Sequence, residues 1–251
     1  MKKLVSFTIQ ADFGMFKKPD INDKIFITYN IIPKTYVLGI LGAILGYGGY
    51  AQTAKKAQMP EFYTKLHDIK MAITPKNDTG GVFKKEFILF NNTTNGQIAN
   101  ITEQTLVNPA YRIYLEIDCS KFDHKKLYLS LKNNKAKYLP YMGKNEFALW
   151  WSDFHEHPIF EKVSYKEQFE VTTLIPKSET FVLKNSGYKE RTTNYFYLFE
   201  RLPIGWSEHP RQYRYQEFLF SNAIFKSTDS FASLNGLGEL YECDEGIICL
   251  F

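Results

Sequence analysis

A Pro-Lys-Thr sequence opens an apolar segment in the first fifth of the chain, and its residue types suit the binding of an anion. Pro33 ends any preceding element and Thr35 is a good N-cap residue, so a helix is predicted to begin here. A helix N-terminus carries unpaired N–H groups and a positive dipole end, and Lys34 adds a full charge beside it. These residues predict a phosphate site, with Lys17 and Lys18 on the preceding loop as neighbours.

The same segment contains Gly39, Gly42 and Gly46, which inside a helix are each unfavourable by about 1 kcal/mol relative to alanine. Glycines are tolerated there when small residues let another backbone, of protein or of nucleic acid, come close. Two explanations of the glycines therefore remain open: packing on the protein's own core and contact with a ligand. The uncharged run from Tyr36 to Tyr50 has 15 residues, whereas a membrane span needs roughly 20. We expect a soluble protein with no membrane partner.

A second candidate for chemistry is the sequence His155-Glu156-His157-Pro158. Histidines two apart face the same side of a strand and can bind a metal, but no third ligand is evident nearby, which favours a surface turn. The odd number of cysteines (Cys119, Cys243 and Cys249) fits no zinc spacing and favours a reduced, cytoplasmic compartment. We expect no metal and no cofactor.

Charge is unevenly distributed along the chain, although the net charge is only +4. After Lys226 there are five acidic and no basic residues, so residues 1–226 carry a net charge of +9 and the chain is predicted to end in a glycine-rich acidic tail. Residues 121–144 contain seven lysines against the single acid Asp123. A basic body with 16% aromatic residues suits a polyanion, although a solvated lysine face is the plainer explanation.

Hydrophobic periodicity predicts the elements that position these residues. Strands are expected at 3–10, 25–29, 69–74, 110–118 and 146–151, and helices from 35 onward, at 60–68 and at 121–133. Residues 83–107 predict a long hairpin with a polar tip. The order β, α, β, hairpin, β, α, β is the split βαβ, ferredoxin-like arrangement of RNA-recognition folds. The fold class is therefore α+β.

The second half of the chain is predicted to be rich in strands, at 160–173, 180–184, 192–200 and 213–220. No low-complexity linker separates it from the first half. We expect an RNA-binding domain at 1–151 and a β-rich C-terminal subdomain at 152–251 that packs on it.

Several motifs together resemble a known family. They are Asp12-Phe13-Gly14-Met15-Phe16-Lys17-Lys18-Pro19, the Pro-Lys-Thr sequence with its glycine helix, Asn108-Pro109-Ala110-Tyr111-Arg112-Ile113-Tyr114, Tyr138-Leu139-Pro140-Tyr141-Met142-Gly143 and Phe199-Glu200-Arg201-Leu202-Pro203. Over most of its length the chain resembles the Cas-five family of the RAMP superfamily, a subunit of type I CRISPR Cascade complexes, and is most similar to subtype I-B.

This resemblance implies a non-catalytic subunit that caps the Cascade backbone and binds the 5′ handle of the guide RNA (crRNA) in antiviral defence. The hairpin at about 83–107 would be a thumb that reaches over the guide. Implied partners are the backbone subunit, the large subunit and, through the complex, target DNA near the protospacer-adjacent motif. The RNA contacts expected are Phe16, Lys17, Lys18, Lys34, Thr35, Arg112 and Lys144, with a thumb tip of Asn91, Asn92, Thr93, Thr94, Asn95 and Gly96.

Relatives in subtype I-C cleave precursor guide RNA with a tyrosine, a lysine and a histidine. His124 and Tyr36 fall in roughly corresponding regions, but Asp123 precedes His124 where those relatives have lysine. We therefore expect no enzyme activity. A metal-independent endoribonuclease for precursor crRNA and an unrelated globular partner-binding protein remain alternatives.

Overall fold

The structure, a computed structural model, describes residues 2–20, 25–53, 59–94, 97–163, 168–177, 194–207, 212–226 and 238–251. Asn95 and Gly96, the expected turn of the thumb, lie outside the described residues, and so does the strand expected at 180–184. Three α-helices are present in the described part of the chain: α1 Lys34–Leu45, α2 Glu61–Leu66 and α3 Phe122–Lys132. The strands are β1 Lys2–Ala11, β2 Phe13–Gly14, β3 Ile25–Phe26, β4 Met71–Pro75, β5 Lys85–Thr94, β6 Gln97–Val107, β7 Ala110–Asp118, β8 Leu149–Glu156, β9 Glu161–Lys162, β10 Gln168–Phe169, β11 Ile175–Pro176, β12 Tyr197–Ser207, β13 Gln212–Ser221, β14 Phe225–Lys226, β15 Glu239–Cys243 and β16 Gly246–Leu250.

A four-stranded sheet in the order β4-β7-β1-β8 forms the centre of the molecule, and every neighbouring pair in it is antiparallel. Helices α1 and α2 connect β1 to β4, and α3 connects β7 to β8. The β5–β6 hairpin is inserted between β4 and β7. The strands expected at 3–10 and 110–118 and the helix expected at 121–133 are confirmed to within one residue at each end.

Both faces of this sheet are buried. On β1, Val5, Phe7 and Ile9 pack with the helices, while Leu4 on the opposite face packs with Ile248. The second face is covered by the β15–β16 hairpin, so the expectation of an acidic tail is wrong for residues 239–250. The apolar residues from Ile247 to Leu250 pair as a strand, because the free energy gained by burying their side chains exceeds that gained by solvating the acidic residues beside them.

The glycines of α1 serve three different purposes. A Cβ at Gly42 would lie 2.4 Å from Cβ of Phe62, so this glycine permits the close packing of α2 on α1. Gly46 ends the helix at φ +83°, and its N–H reaches the carbonyls of Gly42 and Ala43. At Gly39 an added Cβ would meet nothing within 4 Å, so this side of the helix is open.

The second half of the chain shares the main core with the first. Strand β8 runs across the boundary expected at 151/152, and Leu202 of β12 and Phe218 of β13 belong to the cluster of buried side chains that contains α1. Among the described residues, no helix is long and apolar enough to cross a membrane.

Candidate nucleic-acid interface

A groove of about 610 Å³ runs along the open side of α1, where Gly39 leaves room. One wall is the turn after the helix, another is the segment around residues 138–143, and the ends of β12 and β13 close one side. The lining residues are Thr35, Tyr36, Gly39, Ile40, Ala43, Tyr47, Gly48, Gly49, Tyr50, Ala51, Gln52, Phe62, Tyr138, Leu139, Tyr141, Gly143, Trp206 and Tyr213.

Eight of these residues are aromatic, and several present their rings to solvent: Tyr50, Tyr138 and Tyr141 are 49%, 56% and 45% exposed. Trp206 packs against Tyr50 at 6.2 Å and against Tyr213 at 5.2 Å between ring centroids, so the aromatic groups hold one another in place. The groove is therefore preformed and lined with rings on which planar groups can stack.

Backbone hydrogen bonds fix the 138–143 wall to the C-terminal end of α1. The N–H of Tyr138 donates to the carbonyl of Ala43 at 3.1 Å, and the N–H of Lys137 donates to that of Ile44 at 2.9 Å. These bonds satisfy carbonyls that a helix end leaves unpaired. The local fold thus places Tyr138 and Tyr141 opposite the glycine side of the helix.

The groove suits nucleobases better than phosphates, because none of the described residues that line it is charged. Positive charge lies beside it. The ammonium of Lys126 sits 5.2 Å from the ring centre of Tyr47 and donates to the carbonyl of Leu45. Stacked bases in the groove with phosphates directed toward nearby lysines is the arrangement used for single-stranded nucleic acid.

At the start of α1, where a phosphate site is expected, the cap residue and the contacts of Lys34 differ from the expectation. The N-cap is Pro33 and not Thr35, whose buried hydroxyl has no hydrogen-bond partner. Lys34 is partly buried, and its Nζ donates to the carbonyl of Phe251 at 2.8 Å. The ammonium of Lys34 is therefore engaged by the protein itself, whereas Thr35 lines the groove and stays an expected RNA contact.

Burial lowers the pKa of Lys34 to about 8, and the nearby positive charges of Arg214 and Lys70 act in the same direction, whereas Asp68 opposes them. Between pH 8 and 10.5 the unfolded chain keeps this proton and the folded protein releases it, so stability rises with pH in that window. We expect wild type to gain up to about 3 kcal/mol over Lys34→Met between these pH values. Urea unfolding of both proteins from pH 7 to 10.5 measures the difference, and parallel curves would contradict it.

The expected RNA contacts before the helix have partners within the protein. Phe16 is fully buried and packs on Tyr36 at 5.2 Å, so it cannot stack on a base, and that expectation is corrected. Lys18 lies 3.8 Å from Glu200. Lys17 has its Nζ 3.5 Å from the ring centre of Phe26. Lys17 and Lys18 remain partly exposed beside the groove residue Tyr36, to which the backbone of Lys17 hydrogen-bonds.

Arg112 and Lys144 are held by carboxylates from distant parts of the chain. Arg112 is buried and forms a two-point ion pair with Glu245, which removes it from RNA contact and corrects that expectation. Lys144 pairs with the buried carboxylate of Glu103 at 2.8 Å and thereby fixes the base of the β5–β6 hairpin. Its expected RNA contact would have to break this ion pair.

The alternative catalytic residues do not meet in the groove. His124 is only 4% exposed, accepts the N–H of Asp118 at Nδ1 and is not among the described lining residues. Tyr36 does line the groove, but burial raises the pKa of its phenol above the usual range. In this arrangement His124 does not face a strand bound in the groove, whereas Tyr36 does.

The β5–β6 hairpin matches the span expected for the thumb, since its strands pair from Lys85↔Leu106 to Thr94↔Gln97. Phe87 and Leu89 point to the same side of β5 and are exposed, and Asn91 near the tip is exposed as well. Asn92, Thr93 and Thr94 belong to the paired backbone of β5.

Sequence reasoning missed most of the groove's aromatic residues. Tyr47 and Tyr50 flank the Gly48-Gly49 break, and Tyr138 and Tyr141 lie in a motif noted above, so a cluster of tyrosines on both sides of the helix was a usable signal. The sequence around Trp206 does not indicate a place in the groove, because only tertiary packing brings this residue there.

Comparison with solved structures finds one CRISPR protein with a similar fold over its whole length. A CRISPR protein from Archaeoglobus fulgidus aligns over 100% of this chain and 98% of its own, with a TM-score of 0.51 and 11% identity. A chain of a CRISPR RNA-guided surveillance complex aligns less well, over 88% of this chain and 91% of its own, with a TM-score of 0.47 and 9% identity. No family model and no curated protein matches the sequence. The chain therefore has the fold of the archaeal CRISPR protein.

Proposed function

We propose that this protein is a non-catalytic subunit of a type I CRISPR Cascade complex and that its groove binds nucleotides of the crRNA 5′ handle. The observation that carries the proposal is the aromatic, uncharged groove beside Gly39, because exposed tyrosines at this density suit unpaired bases. A handle of fixed sequence needs such contacts, whereas target recognition is left to guide pairing.

The fold supports this assignment. The strand order β4-β7-β1-β8 with two helical crossovers supports a ferredoxin-like domain, and we propose that the β5–β6 hairpin is the thumb of a RAMP protein. The shared fold of the archaeal CRISPR protein is consistent with a role in CRISPR defence. The Pro-Lys-Thr sequence with its glycine helix and the Tyr138–Gly143 motif favour the Cas-five family and subtype I-B.

RNA is proposed to bind on the helix side of the sheet. RNA-recognition domains commonly stack bases on an open sheet face, but here that face lies under β15 and β16. Handle bases would stack on Tyr50, Tyr138 and Tyr141, and their phosphates would face the positive charge beside the groove, at Lys126.

We further propose that the protein assembles into a cytoplasmic ribonucleoprotein. The exposed apolar side chains Phe87 and Leu89 on the thumb are suited to contact with the Cascade backbone subunit, which the protein would cap. Contacts with the large subunit and with target DNA near the protospacer-adjacent motif complete the proposed set of partners.

Purified protein is expected to bind labelled repeat RNA without metal and to leave it intact. Tyr138→Ala and Tyr141→Ala should each weaken binding by about 1–3 kcal/mol, since each removes one stacking surface. Filter binding at fixed salt measures the affinity, and a denaturing gel of the same samples shows whether the RNA is cut.

Tyr197→Ala is the matched control, because Tyr197 is similarly exposed on β12 but does not line the groove. Equal affinity of all variants would refute RNA binding in the groove. Cleavage at one position that is lost in His124→Ala would instead establish the endoribonuclease, and a protein that binds no RNA would be a partner-binding protein of another kind.

A further inference from the structure

A cluster of two histidines and an aspartate joins the end of β8 to the turn between β15 and β16. Nε2 of His155 lies 2.7 Å from one carboxylate oxygen of Asp244, and Nδ1 of His157 lies 2.5 Å from the other. The potential ligand atoms of the three residues all lie within 4.8 Å of one another. The side chain of His157 is fully buried, whereas those of His155 and Asp244 are partly exposed.

A β-bulge directs the histidines toward this turn. Along β1 the register with β8 changes between Ser6 and Thr8, and Asp153 in the extra position has φ +54°. The bulge shifts the alternation of β8 by one residue, so His155 lies opposite Ser6 on the face that the β15–β16 hairpin covers. Arg112 stabilises the bulge by donating to the carbonyl of Asp153 at 2.6 Å.

We propose that His155, His157 and Asp244 form a binding site for a divalent transition-metal ion, for which Zn²⁺ has the most suitable chemistry. Imidazole nitrogen and carboxylate oxygen are zinc ligands at about 2.0–2.2 Å, and three protein ligands leave a fourth position for water. Ca²⁺ and Mg²⁺ prefer sites made only of oxygen atoms, so a set with two nitrogens disfavours them. The half-exposed edge of the cluster gives the ion a path from solvent.

The surroundings of the cluster fit this role. Nε2 of His157 lies 2.7 Å from the hydroxyl of Ser6, so Ser6 can accept a proton on Nε2 in the tautomer whose Nδ1 lone pair binds a metal; without an ion, Nδ1 carries the proton and donates it to Asp244. Such outer contacts orient metal-binding histidines in known sites. The neighbouring carboxylate of Glu245 is held by Arg112 and Tyr114 and does not compete for the ion.

The order Ser6, His157, Asp244 also matches the hydrogen-bond sequence of a hydrolase triad. Ser6 is fully buried, so no substrate can reach its hydroxyl, and this excludes a nucleophilic role. A bound ion would instead connect residues 87 and 89 positions apart and fasten the hairpin to the sheet. This inference is independent of RNA binding.

Calorimetric titration of untagged, chelator-treated protein with ZnCl₂ tests the site. We expect one ion per chain and a rise in Tm of about 5 °C at saturating zinc. His155→Ala and Asp244→Asn should each weaken zinc binding at least tenfold. Titration with CoCl₂ should give visible absorption bands typical of tetrahedral coordination, which a hydrogen-bonded cluster alone does not produce.

Two variants serve as matched controls: His67→Gln and Glu161→Gln replace a histidine and a carboxylate outside the cluster. Asp244→Asn keeps an oxygen to accept the hydrogen bond of His157, so its Tm in chelator should stay close to that of wild type. The proposal is overturned if wild type binds no zinc, or if the His155 and Asp244 variants bind it as tightly as wild type does.

Discussion

A leucine in place of Gly39 is expected to raise the stability of the protein and at the same time to weaken its binding of repeat RNA. Glycine inside a helix is about 0.8–1.0 kcal/mol less favourable than alanine, and leucine is nearly as favourable as alanine. An added Cβ at Gly39 meets nothing within 4 Å, so the first carbon of a larger side chain has room. It would project into the groove and occupy the space between the tyrosines.

In this experiment the stability is expected to rise while the affinity for RNA falls. A misfolded variant would lose both, so the result distinguishes a blocked groove from misfolding. We expect the urea midpoint to increase and the affinity for repeat RNA to fall at least tenfold in Gly39→Leu. Gly39→Ala is the control, because it gives the same gain in helix propensity with a side chain of one carbon. An RNA affinity that is unchanged in Gly39→Leu would show that the RNA binds elsewhere.

Replacing Gly143 with alanine should destabilise the protein by about 3 kcal/mol or more. Gly143 has φ +88°, a conformation that side chains with a Cβ rarely adopt, and the added carbon would lie 1.9 Å from the carbonyl oxygen of Met15. Met15 also donates its N–H to the carbonyl of Met142, so the backbone there cannot move aside without losing a hydrogen bond.

Thermal and urea unfolding measure this loss, and Gly49→Ala is the matched control. At Gly49 a Cβ would have its nearest neighbour at 3.5 Å, which is an ordinary contact, so we expect a change below about 1 kcal/mol. Similar stability of the Gly143 and Gly49 variants would contradict the packing described for this turn. The Gly143 variant should also bind RNA less well, because this turn carries Tyr141.

The sequence predicted the central strands well because their signal is local. Strand β7 begins and ends at the expected residues, since a segment in which apolar residues dominate, with only Arg112 and Glu116 between them, is recognised without knowledge of distant contacts. The C-terminal hairpin was missed for the opposite reason. Its acidic residues suggested a solvated tail, but Glu239 and Glu245 have basic partners far away in the chain, Lys70 and Arg112.

The same dependence on tertiary contacts explains why several of the expected RNA-binding residues have partners within the protein. Lysine and arginine were assigned to RNA from their charge, but Arg112, Lys144 and Lys18 face Glu245, Glu103 and Glu200, which lie 41 to 182 positions away in sequence. An ion pair at that separation exists only after folding, so no spacing rule reveals it. The groove was partly foreseeable, because its glycine helix and the Tyr138–Gly143 motif are continuous in sequence.

The β15–β16 hairpin makes the two sides of the central sheet different from each other. Strands β15 and β16 seal one face of the sheet, and the open groove lies on the side of the helices. If the groove binds RNA as proposed, a strand of RNA approaches the protein from the helix side only. The side covered by β15 and β16 then stays available for other contacts. A protein with this polarity adds to an assembly in a single orientation, so it can end a filament without starting another in the reverse direction.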